Sequence, residues 1–181
     1  MIQDSKPMDE NAQKWQGLVR ASILAVTTHK FFGYVSLADR KAMGVIILNS
    51  IIIPVVLSKM GTAEFQTAST ISIVSCVISM FTAMICIFPK RRGLGKPDGS
   101  INPLHFSDIG RLTEDEYMEI MKPLYNEPSK MGMTVIRDLH DVSRNILRPK
   151  FFWLKLSYII FFIGNLAAIL IELFMLQNIQ G

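Results

Sequence analysis

Residues 70–93 read TISIVSCVISMFTAMICIFPKRRG. From Thr70 to Phe88 nothing is charged, and Pro89 is followed at once by Lys90, Arg91 and Arg92. A helix that crosses the hydrocarbon layer needs about 20 predominantly apolar residues. This run, extended back to Ala68, supplies them. Its apolar character is interrupted in a regular way. Ser72, Ser75, Ser79, Thr82 and Cys86 return at intervals of three and four, which on a helix makes one stripe. Small residues and hydroxyls let neighbouring spans approach closely, bonding one another or their own i−4 carbonyls. In an oligomer the same stripe gives ions or water a weakly polar wall. The spacing alone leaves both readings open.

Two more runs flank this one. Ala42 to Ser58 is broken only by Asn49, Ser50 and Pro54, and Leu154 to Leu176 carries Lys155 near its start and Glu172 near its end. Half of the 181 residues are hydrophobic and 19% are charged, against about 25% charged in an ordinary soluble domain. Mean hydropathy is +0.32. The expected fold is an all-α integral membrane protein of one domain, with three transmembrane helices, an N-terminal amphipathic helix and a helical insert between spans two and three. The opening MIQDSKPMDENAQKWQ lacks the apolar h-region of a secretory signal, so the first span is expected to act as an uncleaved insertion signal.

Basic residues orient the spans. Lys6, Lys14, Arg20, Lys30, Arg40 and Lys41 precede the first, Lys59 alone lies between the first two, and none follows the third. Eleven lie between spans two and three, from Lys90 to Lys150. The positive-inside rule places the N-terminus and residues 89–150 in the cytoplasm. The net charge of +4 thus sits on that side, where it also attracts anionic headgroups. Cys76 and Cys86 are ten residues apart on one helix, about 15 Å, too far for a disulfide.

Four segments follow: 1–41, a cytoplasmic amphipathic helix; 42–88, a transmembrane hairpin; 89–150, a cytoplasmic helical region; and 151–177, the third span. In the first, Trp15, Leu18, Val19, Ser22, Val26 and His29 share a face, with Asp9 as a cap. That face either packs on the cytoplasmic helices, the preferred reading, or lies in the membrane interface. Gly33 and Asp39-Arg40-Lys41 mark where the chain meets the bilayer. In the third segment PKRRGLGKPDGSINP reads as a loop. Thr113-Glu114-Asp115-Glu116 has capping-box spacing, and its helix ends near Lys122-Pro123 or shortly after. A long helix is expected from Ser129 to Arg148, crossing a slight break at Pro149 into the third span.

Catalytic motifs are lacking. There is no Gly-rich phosphate loop, no His-Glu-x-x-His and no paired CxxC, and His140-Asp141 reads as a surface pair, so no enzyme, metal site or cofactor is expected. Binding chemistry is better represented. Lys130, Arg137, Arg144 and Arg148 fall at i, i+7, i+14 and i+18, one helix face that also holds Asp141. The face is either solvated and laced with ion pairs or an anion-binding surface, since arginine offers phosphate a bidentate fork. With Arg111, Arg91 and Arg92 near in sequence, a nucleotide is the candidate ligand. Within the membrane, Asn49 needs a partner, Pro54 frees a backbone carbonyl, and Glu172 either snorkels outward or joins an acidic ring at an outer mouth.

The segment SLADRKAMGVIILNSIIIPVVL resembles the opening of Pycsar-type transmembrane effectors, with Asp39, Lys41 and Asn49 at matching positions. FPKRR is similar to that family's exit from the second span. HFSDIGRLTEDEY resembles its Phe-x-Asp-Ile segment through Phe106, Asp108 and Ile109, and Lys150 stands at the lysine before the last span. Together these cover roughly residues 36–170. The resemblance implies an antiphage-defence effector in a bacterial inner membrane, beside a nucleotidyl cyclase or nucleotidyltransferase encoded nearby. Its ligand would be a cyclic mononucleotide or a short oligonucleotide, sensed in residues 89–150 together with 1–41. The effector would disrupt the membrane and abort infection as a homo-oligomeric pore, because three helices per chain are too few to enclose a water-filled path alone. Ser72, Ser75, Ser79, Thr82 and Asn49 then become the candidate pore lining. The rivals are a non-conducting scaffold that recruits a soluble partner through Glu114-Asp115-Glu116, and a lysis protein that needs no ligand.

Overall fold

The computed structural model describes residues 10–61, 65–88 and 101–180, and among them every element is helical. The helices are α1 (Glu10–Lys59), α2 (Gln66–Ile87), α3 (Phe106–Ile109), α4 (Glu114–Asn126), α5 (Pro128–Val142) and α6 (Arg148–Gln180), with a π turn over Ser143–Leu147. α1, α2 and the run ending in α6 are long and apolar enough to cross a membrane. Asp9, the expected cap, and the loop residues 89–100 lie outside the described residues.

α1 is one helix where two were expected. It passes Gly33 and Asp39-Arg40-Lys41 without a break. A single glycine costs a helix only about 1 kcal/mol against alanine, too little to end one that is fixed on either side. Pro54 lies inside α1; it removes the N–H that would bond the Ser50 carbonyl, while the Ser50 hydroxyl donates to the Ile46 carbonyl at 2.8 Å. The half-buried positions of α1 include Leu24, Thr28, Phe31 and Val35, followed by the buried Ala38, Ala42, Val45 and Asn49. Their alternating spacing of four and three is a heptad face.

The described residues form two compact units, one from Met1–Gly33 with Gly93–Ser143 and the other from Tyr34–Arg92 with Arg144–Gly181. In the first unit the expected packing face of α1 is the open one: Trp15, Leu18, Val19 and Val26 are all more than half exposed. The opposite side of α1 packs instead. A Cβ on Gly132 of α5 would lie 3.8 Å from Leu24 Cδ1, an ordinary van der Waals contact, so this side of α1 is the one near α5. Asn102 orders the turn before α3. Its backbone N–H donates to the buried Asp108 carboxylate at 3.0 Å, its side-chain amide donates to Asp138 at 2.8 Å, and its Oδ1 accepts the Leu104 N–H at 3.1 Å.

α4 starts at the expected capping box. The Thr113 hydroxyl accepts the Glu116 N–H at 3.3 Å, and the Glu116 carboxylate accepts the Thr113 N–H at 2.8 Å. The helix continues through Pro123 to Asn126. The break before the third span falls at the π turn, with Pro149 already the second residue of α6. Proline has no N–H to give the carbonyl of residue i−4 and its ring clashes there. That carbonyl belongs to Asn145, in the middle of the π turn, where the widened i→i+5 pattern relieves the clash.

In the second unit α2 and α6 run antiparallel, since Ser72 meets Asn165, Ser79 meets Ser157 and Ile87 meets Lys150. Ala42 and Val45 of α1, Ala83 and Cys86 of α2, and Leu154 of α6 make the apolar core. Lipid is as apolar as leucine, so packing and interhelical hydrogen bonds hold such helices together in place of hydrophobic burial. Small core side chains suit that requirement. Larger ones such as Ile47, Ile51, Phe81 and Phe162 stay exposed on the outer surface, as lipid contact demands.

Candidate functional site

Besides exposed polar residues such as Ser50, Ser58 and Thr70, the second unit carries a set of buried polar side chains. They lie in the seam between its three helices, in layers separated by apolar ones. α6 contributes Lys150, Leu154, Ser157, Phe161, Asn165, Ala168 and Glu172 at spacings of three and four, the period of a single buried face.

At one end Lys150, only 4% exposed, donates to the carboxylate of Asp39, whose side chain is 38% exposed. The same ammonium lies 3.4 Å from the Ile87 carbonyl at the end of α2. One cation therefore ties together all three helices. Two of the residues singled out by resemblance, Asp39 and Lys150, form this contact, while Lys41, two residues further along α1, is exposed.

The middle layer joins Asn49, Ser79 and Ser157, each fully buried. The Ser79 hydroxyl donates to the Ser157 carbonyl at 3.0 Å, and the Ser157 hydroxyl donates to the Ser79 carbonyl at 2.8 Å. This reciprocal pair clamps α2 to α6. The Asn49 amide donates to its own Val45 carbonyl at 2.9 Å and reaches Ser79 Oγ at 3.3 Å. Its carbonyl oxygen, Oδ1, is buried and has no hydrogen-bond partner. Thr82, one turn along, donates to the Ser79 carbonyl at 2.8 Å.

In the next layer Ser72 donates to Asn165 Oδ1 at 2.7 Å, and the Asn165 amide donates to the Phe161 carbonyl at 2.8 Å with Cys76 Sγ 3.7 Å away. Ser75 bonds back to the Ser72 carbonyl at 2.9 Å. It also lies directly over Gly164, where a Cβ would collide with its Cβ and Oγ. Beyond this layer comes Glu172, whose two carboxyl oxygens are buried without a partner.

The stripe Ser72, Ser75, Ser79 and Thr82 is thus buried against α6, with its hydroxyls engaged by α6 or by the carbonyls of α2 itself. Of the two readings the spacing allowed, close packing describes how the stripe sits within this single chain. Ser157 and Asn165, which answer the stripe, escaped the sequence reading. Their signal was present: each is a polar residue in an apolar run, on the heptad line that joins Lys150 to Glu172.

The basic candidates are divided between the two units. Arg111, Arg137, Arg144 and Arg148 are exposed, and Lys130 is bonded to Glu127 at 2.7 Å. The i+14 and i+18 arithmetic that placed Arg144 and Arg148 with Lys130 and Arg137 assumes an unbroken α-helix, and the π turn at Ser143–Leu147 interrupts it. Lys130 and Arg137 belong to the first unit, Arg144 and Arg148 to the second. Arg91 and Arg92 lie outside the described residues. Of the remaining residues marked by resemblance, Asp108 holds the turn described above and Phe106 is exposed, stacked on His105 with ring centroids 5.0 Å apart. His140 and Asp141 are 3.7 Å apart, with His140 mostly exposed.

A family model described as the Pycsar effector protein domain (PycTM) matches residues 23–176 of the chain. No curated protein and no solved structure matches it.

Proposed function

This chain belongs to the Pycsar effector family, and from that premise we propose that it is a homo-oligomeric pore or channel of the bacterial inner membrane, gated from the cytoplasm by a nucleotide. Membership itself makes it a membrane effector of antiphage defence, working beside a system that generates a cyclic nucleotide. The observation that supports a pore is the layered polar seam. Interhelical hydrogen bonds also serve packing, but a seam that only clamped the helices would not leave buried oxygens of Asn49 and Glu172 unpaired. The three helices carry buried hydroxyls, amides and charges from one end to the other.

The candidate lining, Ser72, Ser75, Ser79, Thr82 and Asn49, is buried in the protomer, so wetting it requires α2 and α6 to part. A ligand can drive that change only by preferring the parted state. The exposed guanidinium of Arg137 is the leading contact for a nucleotide phosphate in the first unit, with Arg111 as a second. α1 and the run from α5 through the π turn into α6 contribute residues to both units, which makes these elements the route for coupling.

The test is conductance of the purified full chain in planar bilayers, with and without a panel of cyclic purine and pyrimidine mononucleotides. A nucleotide-dependent current supports the proposal. Current that ignores every nucleotide identifies a constitutive lysis protein, and no current under any condition identifies a non-conducting scaffold.

A further inference from the structure

Three buried oxygens set the seam apart from a dry packing interface. Asn49 is fully buried, yet its Oδ1 accepts no hydrogen bond, and neither carboxyl oxygen of Glu172 has one. Buried polar groups in folded proteins are almost always paired, and the few that are not call for an explanation, such as a ligand. Packing does not supply it. The reciprocal Ser79–Ser157 bonds clamp α2 to α6 without Asn49, and a leucine at position 49 would fill the space with no polar cost. Glu172 belongs to the α6 line that faces the seam, two turns beyond Asn165. Within a span, an ionisable group of this kind marks an ion or proton path by default.

We propose that water, and the protons it relays, cross the membrane inside each copy along its own α1–α2–α6 seam, between the Glu172 carboxyl and the Asp39–Lys150 pair. The inference rests on the reading of this chain as a membrane-permeabilising effector, and it moves the path from an axis between copies into the copy itself, as a single file of water far narrower than the open pore that three helices cannot enclose. The layers are spaced for such a file. Glu172, Asn165, Ser157 and Lys150 are seven or eight residues apart, about 10–12 Å per step, which a few waters bridge. Each step begins and ends at a group able to hold them: a carboxyl, an amide, the Ser79–Ser157 hydroxyls beside the free Asn49 oxygen, and the ion pair. The apolar residues Leu154, Phe161 and Ala168 are buried between the layers. The close fit of Ser75 on Gly164 keeps the seam narrow.

Two native thiols supply a probe already present in the seam. Cys76 and Cys86 are fully buried in it, and Cys76 adjoins Asn165. Silver ion is small, charged and reactive with thiols that water can reach. The full chain is reconstituted in phosphatidylethanolamine–phosphatidylglycerol vesicles, and proton flux is followed with an enclosed pH dye, with and without the cyclic mononucleotide panel. Silver is expected to reduce the wild-type flux at least tenfold while leaving a Cys76→Ala, Cys86→Ala double variant unaffected. Asn49→Leu and Glu172→Leu are each expected to lower the flux about tenfold, with cross-linked assembly unchanged.

The outcome that overturns the inference alone is an intact flux on which silver acts equally in the wild type and the cysteine-free variant. A path between copies would reveal itself further if Val74→Cys in the cysteine-free background, on the exposed side of α2, conferred block by silver. Absence of flux under every nucleotide and without one overturns the permeabilising reading, and the inference falls with it.

Discussion

At Lys150 the cost of a buried charge is divided unequally between two partners. The ammonium is 4% exposed and Asp39 is 38% exposed, so removing one partner strands a charge in either a dry or a half-wet place. Stranding a buried charge costs about 3–5 kcal/mol, whereas a surface pair contributes about 0–1 kcal/mol. Asp39→Ala, which leaves the buried lysine alone, should destabilise the protein by about 3 kcal/mol. Lys150→Met should cost nearer 1 kcal/mol, because Asp39 keeps part of its hydration. Thermal unfolding in a mild detergent measures both, and an equal or reversed order would refute the asymmetry. Glu116 offers a milder case outside the membrane. The Thr113 N–H and then the Thr113 hydroxyl bond its carboxylate and hold its pKa below the ordinary glutamate value. A depressed carboxylate contributes above its unfolded pKa and loses that contribution as pH falls through the folded one, so the start of α4 should loosen only in acid. Removing the hydroxyl by Thr113→Ala should move the Glu116 midpoint upward in an NMR titration. An unmoved midpoint would show that the side-chain bond contributes nothing.

Among the elements, the approach of α2 to α6 is set by one missing side chain. A Cβ on Gly164 would overlap the Cβ and Oγ of Ser75, and neither atom is the end of a flexible chain. Gly164→Ala should therefore cost about 1–3 kcal/mol, the usual range for overpacking. Adding Ser75→Gly should recover most of that loss, which makes the pair strongly non-additive. Additive losses in a double-mutant cycle would mean that the helices do not meet there. The same elements show how much a sequence can reveal. The three spans were legible because a membrane helix needs an uncharged length that nothing else in the chain resembles, and the α4 cap because a capping box is local. The hydroxyl stripe was legible as a face, but not what it faces: Ser157 and Asn165 are 78 and 93 residues away along the chain. The side of α1 that packs was misjudged for the same reason. Trp15, Leu18 and Val19 lie on the exposed side of α1, yet Leu24 is the residue near Gly132 of α5, a neighbour far away along the chain. Likewise Pro149 announced a break, but the break appears upstream, where the carbonyl that the proline cannot satisfy is located.

For the molecule as a whole, the sensing proposal depends on which cations remain available to a phosphate. Lys130 and Arg137 look equivalent in sequence, one heptad apart on α5. In the structure Lys130 is bonded to Glu127 at 2.7 Å, while Arg137 is an exposed residue. A phosphate approaching Lys130 must compete with a carboxylate already in place. One approaching Arg137 gains charged hydrogen bonds, each contributing about 1.5–3 kcal/mol, and two can form at once because the guanidinium is bidentate. Under that proposal Arg137→Gln should weaken nucleotide binding by roughly tenfold or more. Lys130→Gln should change it by less than about threefold, since only a surface ion pair is lost. Isothermal titration of the full chain in detergent against the cyclic mononucleotide panel separates the two. Parallel measurement of vesicle leakage shows whether the loss of binding carries through to the membrane. If both variants bind as the wild type does, the phosphate is held elsewhere. If Arg137→Gln binds weakly yet leaks as before, the nucleotide is not what parts the helices.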